Sequence, residues 1–418
     1  SVYFNVIIWY IFLFEKVLGF FPPSVEEISK DGKSWLVCTS CLPFCTCICL
    51  LSALHVLHFL PLPGSEIAVY EGDILLRRGR RSAINCDSCL WPKSQDGLVK
   101  ISPGPLLFLA ITERSWIADA LQEISTLTCV QFVNRTTETD YVYVERGCWS
   151  YFGKIGGRQA VGLVKNGCMD KGAIQHEMNH ALGFIHEQAR SDRDRFVKIM
   201  WEHIVAGNFG KMNSKNLGLP YDYSSVMHYG AYDFSSTPGK PTIVPVPDPS
   251  IPIGQRDGLS NLDVAKINKL YKCNCCSSVL PKPKGSFSSV NYPSPYPNNS
   301  NCLWLIRIRR SKIFLQFEAF DLQRSSDCSS DYIKIYNGNS KSSPVLLDKY
   351  CGKGPLPSLV ASGSTMLVEF ASDESITATG FRASYNRGFN LKTQRYLAVR
   401  NICIPIDVHN SLHKQVLP

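Results

Sequence analysis

The sequence predicts an α+β domain followed by an all-β domain, and three observations predict it. Residues 172–187 read G-A-I-Q-H-E-M-N-H-A-L-G-F-I-H-E, in which His176 and His180 stand four apart and so share one face of a helix. Upstream, residues 113–127 carry helical apolar spacing, whereas Val130-Gln-Phe-Val133 and Tyr141-Val-Tyr-Val144 are β-branched and aromatic runs of strand type. After Cys276 the character changes: Pro281, Pro283 and Gly285 mark a linker, and short alternating strands follow. A chain of 418 residues, 44% of them hydrophobic, is long enough for two or three domains with real cores.

The first 65 residues are the least orderly. Residues 2–21 are apolar and aromatic, and residues 35–62 form a second apolar run interrupted by Cys38, Cys41, Cys45, Cys47 and Cys49. Either run suits the core of a targeting signal. Pro43, two histidines and the cysteines make the second a poor membrane span, so no stable span is expected. The cysteine cluster reads as targeting or mis-assigned sequence rather than a thiol or metal site. Seventeen cysteines in all, twelve of them spread along the chain beyond this segment, argue for disulfides in an oxidising compartment and hence a secreted, extracellular protein. The net charge of +9 comes from scattered lysines and arginines without an aromatic-interleaved stripe, which argues against a nucleic-acid partner.

Order begins at Glu66. Val69-Tyr-Glu-Gly-Asp73 contains a Gly-Asp turn, and Arg77-Arg-Gly-Arg-Arg81 is a basic run in a segment exposed to nicking, with Ser82 next. Cys86-Asp-Ser-Cys89 is a C-x-x-C without a second pair at zinc-ribbon spacing. In the helix at 113–127, Trp116, Ala120 and Ile124 form an apolar stripe with Ile117 and Leu121 beside it, all read as core. Asn134-Arg-Thr136 is a glycosylation acceptor. Cys148 and Cys168 flank a glycine-rich stretch and read as a disulfide clamping a hairpin, and Cys129 pairs with Cys273 to tie the first helix to the domain's end. A helix is expected from Arg190 through Trp201 to about Val205, with acids in its first turn. A closing helix follows, capped at Ser260-Asn-Leu-Asp263.

The chemistry lies in 172–187. Two imidazoles one turn apart offer two nitrogens to one metal, and Gly183 lets the backbone turn sharply and bring in His186. Three nitrogens leave a fourth position open, as in catalytic rather than structural zinc sites. Glu177, beside the first ligand, is placed to take a proton from water there. The extended pattern H-E-x-x-H-x-x-G-x-x-H is the metzincin signature, and Tyr223-Ser-Ser-Val-Met-His-Tyr229 supplies a Met-turn around Met227.

The wording H-E-x-x-H-x-x-G-F-x-H-E with S-x-M-H-Y resembles the astacins over residues 85–273. The resemblance implies a two-lobed, zinc-dependent endopeptidase with one Zn2+ held by His176, His180 and His186, catalytic Glu177, and Tyr229 as both additional ligand and oxyanion stabiliser. It implies further that Asp73 ligates zinc in the zymogen, that cleavage after Arg81 frees Ser82, and that Glu187 receives the new amine. The pair Cys86 and Cys89, followed by Leu-Trp, is typical of the hatching-enzyme branch. Residues 101–111 depart from the family's usual strand. Arg256 matches the region lining the primed-side pocket, with an ordinary surface arginine as the alternative. The expected organisation is therefore 66–81 propeptide and 82–273 peptidase.

Residues 276–386 resemble a CUB domain through Cys302-Leu-Trp304, Cys328-Ser-Ser-Asp-Tyr332 and Gly380-Phe381. This implies a β-sandwich with disulfides Cys276 (or Cys275)–Cys302 and Cys328–Cys351, a second glycosylation acceptor at Asn298, and a protein ligand. Asp331 and Asp373 match two calcium ligands of that family, but Gln323 stands where a glutamate belongs, so Ca2+ is not expected. Residues 387–418 match neither domain. The resulting expectation is a secreted zinc endopeptidase made as a zymogen and acting on extracellular protein, egg envelope foremost. The alternatives are a developmental processing protease for matrix or growth-factor precursors, and a CUB-based binding protein with a weak enzyme.

Overall fold

A computed structural model describes residues 25–30, 33–38, 67–77, 87–104, 109–204 and 207–388. The chain divides into residues 1–65 and residues 66–418. In the first unit, strands β1 (Val25–Lys30) and β2 (Lys33–Cys38) pair antiparallel. The remaining cysteines of its 38–49 cluster lie outside the described residues.

The second unit opens with a hairpin of β3 (Ile67–Tyr70) and β4 (Ile74–Arg77). Between them Glu71 and Gly72 both take positive φ, so the reversal is tight. Next come β5 (Val99–Ile101), helix α1 (Ile111–Leu127) and β6 (Val130–Phe132), β5 and β6 pairing in parallel. Then follow β7 (Tyr141–Glu145), β8 (Trp149–Tyr151) and β9 (Arg158–Gly162). The hairpin joins these in one five-stranded sheet of order β3-β4-β8-β9-β7.

Helix α1 buries Ile117, Ala120, Leu121, Ile124 and Leu127. Trp116 does not join them: it is 45% exposed, near the start of the helix, where the stripe it shares with Ala120 and Ile124 reaches the surface. Helix α2 (Lys171–Ala181) starts at Asp170, whose carboxylate accepts from the Ala173 amide at 3.0 Å, and is buried from Gly172 onward.

The helix expected at 190–205 is absent. In its place are a 3-10 turn (Arg193–Arg195), strand β10 (Val197–Ile199) and a second turn (Trp201–His203). Arg190 and Arg193 are buried and spend their guanidinium groups on Glu187, Asp192 and the Gln188 carbonyl. Val197 and Ile199 alternate inward and pair antiparallel with β11 (Ile243–Pro245), so tertiary packing overrides a helical pattern. Helix α3 (Asn261–Leu270) closes the domain with a capping box between Ser260 and Asp263.

Nine further strands form the last domain. A five-stranded sheet consists of β12 (Cys276–Leu280), β14 (Asn301–Arg307), β19 (Thr365–Ala371), β16 (Tyr332–Tyr336) and β17 (Val345–Tyr350), in that order. The facing sheet has β13 (Lys284–Ser288), β20 (Gly380–Gly388), β15 (Lys312–Asp321) and β18 (Leu359–Val360). Phe317, Ile333, Val368, Phe370 and Phe381 fill the space between. The outer face of the first sheet, through Val279, Leu303, Leu305, Tyr336 and Leu367, joins the core of the preceding domain.

Disulfides link Cys129–Cys273, Cys148–Cys168, Cys276–Cys302 and Cys328–Cys351. Cys276 and Cys302 stand opposite each other in the β12–β14 ladder, which leaves Cys275 the free thiol of the adjacent pair. Cys89 is disulfide-bonded, and Cys86 lies outside the described residues. Among the described residues no helix is long and apolar enough to cross a membrane.

Candidate metal centre and active site

Helix α2 ends in a two-bond Schellman turn: the Gly183 amide donates to the His180 carbonyl at 2.9 Å, and the Phe184 amide to Asn179 at 3.0 Å. Gly183 has φ +92°, which a side chain resists. The turn brings the Phe184 carbonyl back to accept from His180 Nδ1 at 2.8 Å. His176 Nδ1 donates in the same way to the Val226 carbonyl at 2.7 Å. A carbonyl only accepts, so both Nδ1 atoms carry protons and both Nε2 atoms present lone pairs.

Those lone pairs converge. His176 Nε2 lies 3.1 Å from His180 Nε2 and 3.3 Å from His186 Nε2. Asp73 Oδ2 reaches His176 and His186 Nε2 at 3.2 Å each. The four ligand atoms all lie within 4.8 Å of one another. Tetrahedral zinc with ligands at 2.0–2.1 Å holds neighbouring donors about 3.3 Å apart. The three Nε2 atoms and the Asp73 carboxylate are spaced as the donors of such a site are, so the residues fit zinc.

Burial holds His176 and His180 below the ordinary imidazole pKa, against the raising effect of Asp73. Burial pulls His186 down too, but Asp73 and Glu71 outweigh it and push this imidazole up to about 10. Asp73 is itself buried against ionisation, yet the imidazoles hold it well below the usual carboxylate range. Glu177 is 3% exposed, and its Oε2 has no hydrogen-bond partner. Burial and the Asp73 charge push Glu177 well above an ordinary carboxylic acid.

Met227 is buried in the turn beneath, where its carbonyl accepts from the Glu187 amide at 2.9 Å. Asp263 of the α3 capping box fixes that turn, accepting from Ser225 Oγ at 2.6 Å and the Val226 amide at 2.9 Å. The Tyr229 ring lies 4.5 Å from the His186 ring, and its hydroxyl donates to the Glu71 carbonyl. Burial, then Asp73 and Glu71, keep that phenol protonated.

Glu187 is saturated in this state: Oε1 accepts from Arg190 at 3.0 Å and the Asp222 amide at 2.8 Å, and Oε2 from Lys266 Nζ at 2.5 Å. Arg256 donates to the His228 carbonyl at 3.1 Å, on the turn that carries Tyr229. Arg81 and Ser82 lie outside the described residues, and Asn134 and Asn298 are exposed. In the second domain Tyr296 links two of the three residues considered for calcium, and Asp331 links the third. Its hydroxyl donates to Asp331 at 2.5 Å and accepts from the Gln323 amide at 3.0 Å, while the Asp373 amide donates to Asp331 at 2.8 Å.

Sequence reasoning missed Glu71, whose Oε2 accepts from His186 Nδ1 at 2.8 Å and so orients the third imidazole as the carbonyls orient the others. Its signal was its place two residues before Asp73. It also missed Lys266, a cation on α3 that nothing near Glu187 in sequence announces.

The Astacin peptidase family model matches residues 109–272, and the CUB domain model matches residues 276–385. An astacin-like metalloendopeptidase of Coturnix japonica is 53% identical over 340 residues, spanning 79% of this chain and 81% of that protein. Embryonic protein UVS.2 of Xenopus laevis is 52% identical over 327 residues, 77% of this chain and 63% of that protein. High choriolytic enzyme 1 of Oryzias latipes is 46% identical over 217 residues, 50% of this chain and 80% of that protein.

Proposed function

Because this chain belongs to the astacin family of metalloendopeptidases and carries a CUB domain after the peptidase, we propose that it is a secreted zymogen whose mature form cleaves extracellular protein, with egg envelope as the leading substrate. The observation that carries the reading is the convergence of three imidazole Nε2 atoms beside a buried carboxylate with an unpartnered oxygen. The egg-envelope assignment rests on the relative whose name records choriolysis.

His176, His180 and His186 would hold the zinc ion, which when bound would supply Lewis acidity to the scissile carbonyl and to a water, whose pKa it would bring toward about 7. Glu177 takes the proton of the attacking water and delivers it to the leaving amine. Its raised affinity for protons in the latent form owes part to Asp73 and relaxes when that charge departs. Tyr229 is protonated and held by Glu71, so removal of the hairpin frees a phenol to donate to the developing oxyanion. Arg256 offers a cation beside the Tyr229 turn, which favours acidic residues after the scissile bond. The CUB domain is assigned to binding substrate or another extracellular protein.

The test is hydrolysis of quenched casein and of egg-envelope protein by chain processed after Arg81. It is run beside Glu177→Ala and beside enzyme stripped with a zinc chelator. Loss of at least about a thousandfold in both is expected. Activity that survives either treatment would overturn the catalytic assignment, and cleavage of casein but not envelope would overturn the substrate.

A further inference from the structure

Glu123 on α1 is a carboxylate with no exposure, held against the helix that carries the zinc ligands. Its Oε1 accepts from Gln175 Nε2 at 3.2 Å, and Gln175 directly precedes His176. Its Oε2 pairs with Lys171 Nζ, in the first turn of α2, at 2.8 Å. The closest contact comes from the other domain: Arg307 Nη2, on β14, meets Glu123 Oε1 at 2.5 Å. The same guanidinium donates through Nη1 to the carbonyls of Asp257 and Leu259, at 3.4 and 3.3 Å, in the loop after Arg256. Gly258 makes room for it, since a Cβ there would stand 2.6 Å from Nη1.

One turn along α1, Asp119 takes Lys171 at 3.0 Å and Asn339 of the CUB domain at 2.9 Å. Two carboxylates and two cations thus close a balanced cluster between α1, α2 and β14. The structure assigns Arg307 of the CUB domain a positioning role in the peptidase: by neutralising Glu123 it holds the zinc helix and the 257–259 loop in register. On this assignment the CUB domain completes the catalytic domain rather than hanging from it. Without Arg307, the buried Glu123 is left with Lys171, which it shares with Asp119, and the cluster carries one uncompensated negative charge; breaking a buried pair from one side is costly where deleting both partners is not.

The experiment uses the full secreted chain, zinc-loaded, with Arg307→Met, Glu123→Gln/Arg307→Met and, as a matched destabilising control, Leu305→Ala in the same interface. Two quantities are read: the thermal midpoint, and the rate of zinc release to a chelator at 25 °C. Arg307→Met is expected to lower the midpoint by on the order of 10 °C and to speed zinc release at least about tenfold. The double variant is expected to recover most of both. Leu305→Ala is expected to lower the midpoint alone, which separates positioning from general stability. Zinc release from Arg307→Met at the parental rate, or a double variant no better than the single, overturns the assignment. Should Arg307→Met not be secreted, Arg307→Lys keeps the charge but not the fork, and is expected to release zinc a few-fold faster. Parental release from that variant also overturns it.

Discussion

His228 shows how a single residue beneath the centre ties stability to pH. Its Nδ1 donates to the Tyr229 carbonyl at 2.7 Å, so Nε2 accepts from the Tyr221 hydroxyl at 2.7 Å and the ring is neutral. Burial lowers its pKa from 6.5 to about 4, against the Tyr229 carbonyl and Asp222. A folded value below the unfolded one means the stability is full above about pH 6.5 and is lost as pH falls through about 4. The shift corresponds to roughly 3 kcal/mol. Asp263 has the opposite sign: burial and Asp222 raise it to about 6, so its share is present below 3.8 and lost as pH rises through about 6. His228→Gln offers one donor and one acceptor without titrating. Urea unfolding of parent and variant at pH 7 and pH 4.5 cancels the Asp263 term. The variant is expected to lose about 2 kcal/mol less than the parent between those two pH values. Equal losses would show that His228 is charged in the fold.

At the scale of elements, the Schellman turn after α2 is a ligand-positioning device, because one reversal sends the chain toward His186 and returns the Phe184 carbonyl to His180. Gly183→Ala forces a side chain into φ +92° and is expected to cost about 1–2 kcal/mol. A thermal midpoint a few degrees lower and weaker zinc retention in chelator competition would show it; an unchanged midpoint would mean that the turn tolerates a Cβ. This turn was legible in sequence because its signal is local: two histidines one turn apart, a glycine, and a third histidine. The capping box of α3 and the strands at 130–132 and 141–145 were legible for the same reason. The helix expected from Arg190 was not, since the buried Arg190 reaches the Leu219 and Pro220 carbonyls and β10 pairs with β11, so partners far along the chain decide that stretch. Glu123 was illegible in kind, because its partner Arg307 is 184 residues away and a carboxylate carries no mark of what it meets; Glu71 had only its place beside Asp73 to mark it, its partner His186 lying 115 residues on.

At the scale of the whole molecule, the proposed latency rests on more than one attachment. The β3–β4 hairpin extends the catalytic sheet, its Asp73 carbonyl accepting from the Ser150 amide at 2.8 Å and its Leu75 carbonyl from Phe152 at 3.3 Å. Asp73 fills the space among the imidazoles, Glu71 holds His186, and the Glu71 carbonyl holds Tyr229. Removing the Asp73 carboxylate therefore opens the position for water without clearing the cleft. In chain made uncleavable by Arg81→Ala, Asp73→Ala is expected to raise hydrolysis of a quenched casein peptide at least about tenfold, yet to leave it well below that of processed enzyme. Adding Glu71→Ala, which also releases His186, is expected to loosen the hairpin and raise activity further, visible as faster amide exchange at Ile74 and Leu75. If Asp73→Ala is as silent as its uncleaved parent, the hairpin's steric cover, not its carboxylate, keeps the enzyme latent. If it equals processed enzyme, the carboxylate alone is the switch, and the sheet contacts serve only to place it.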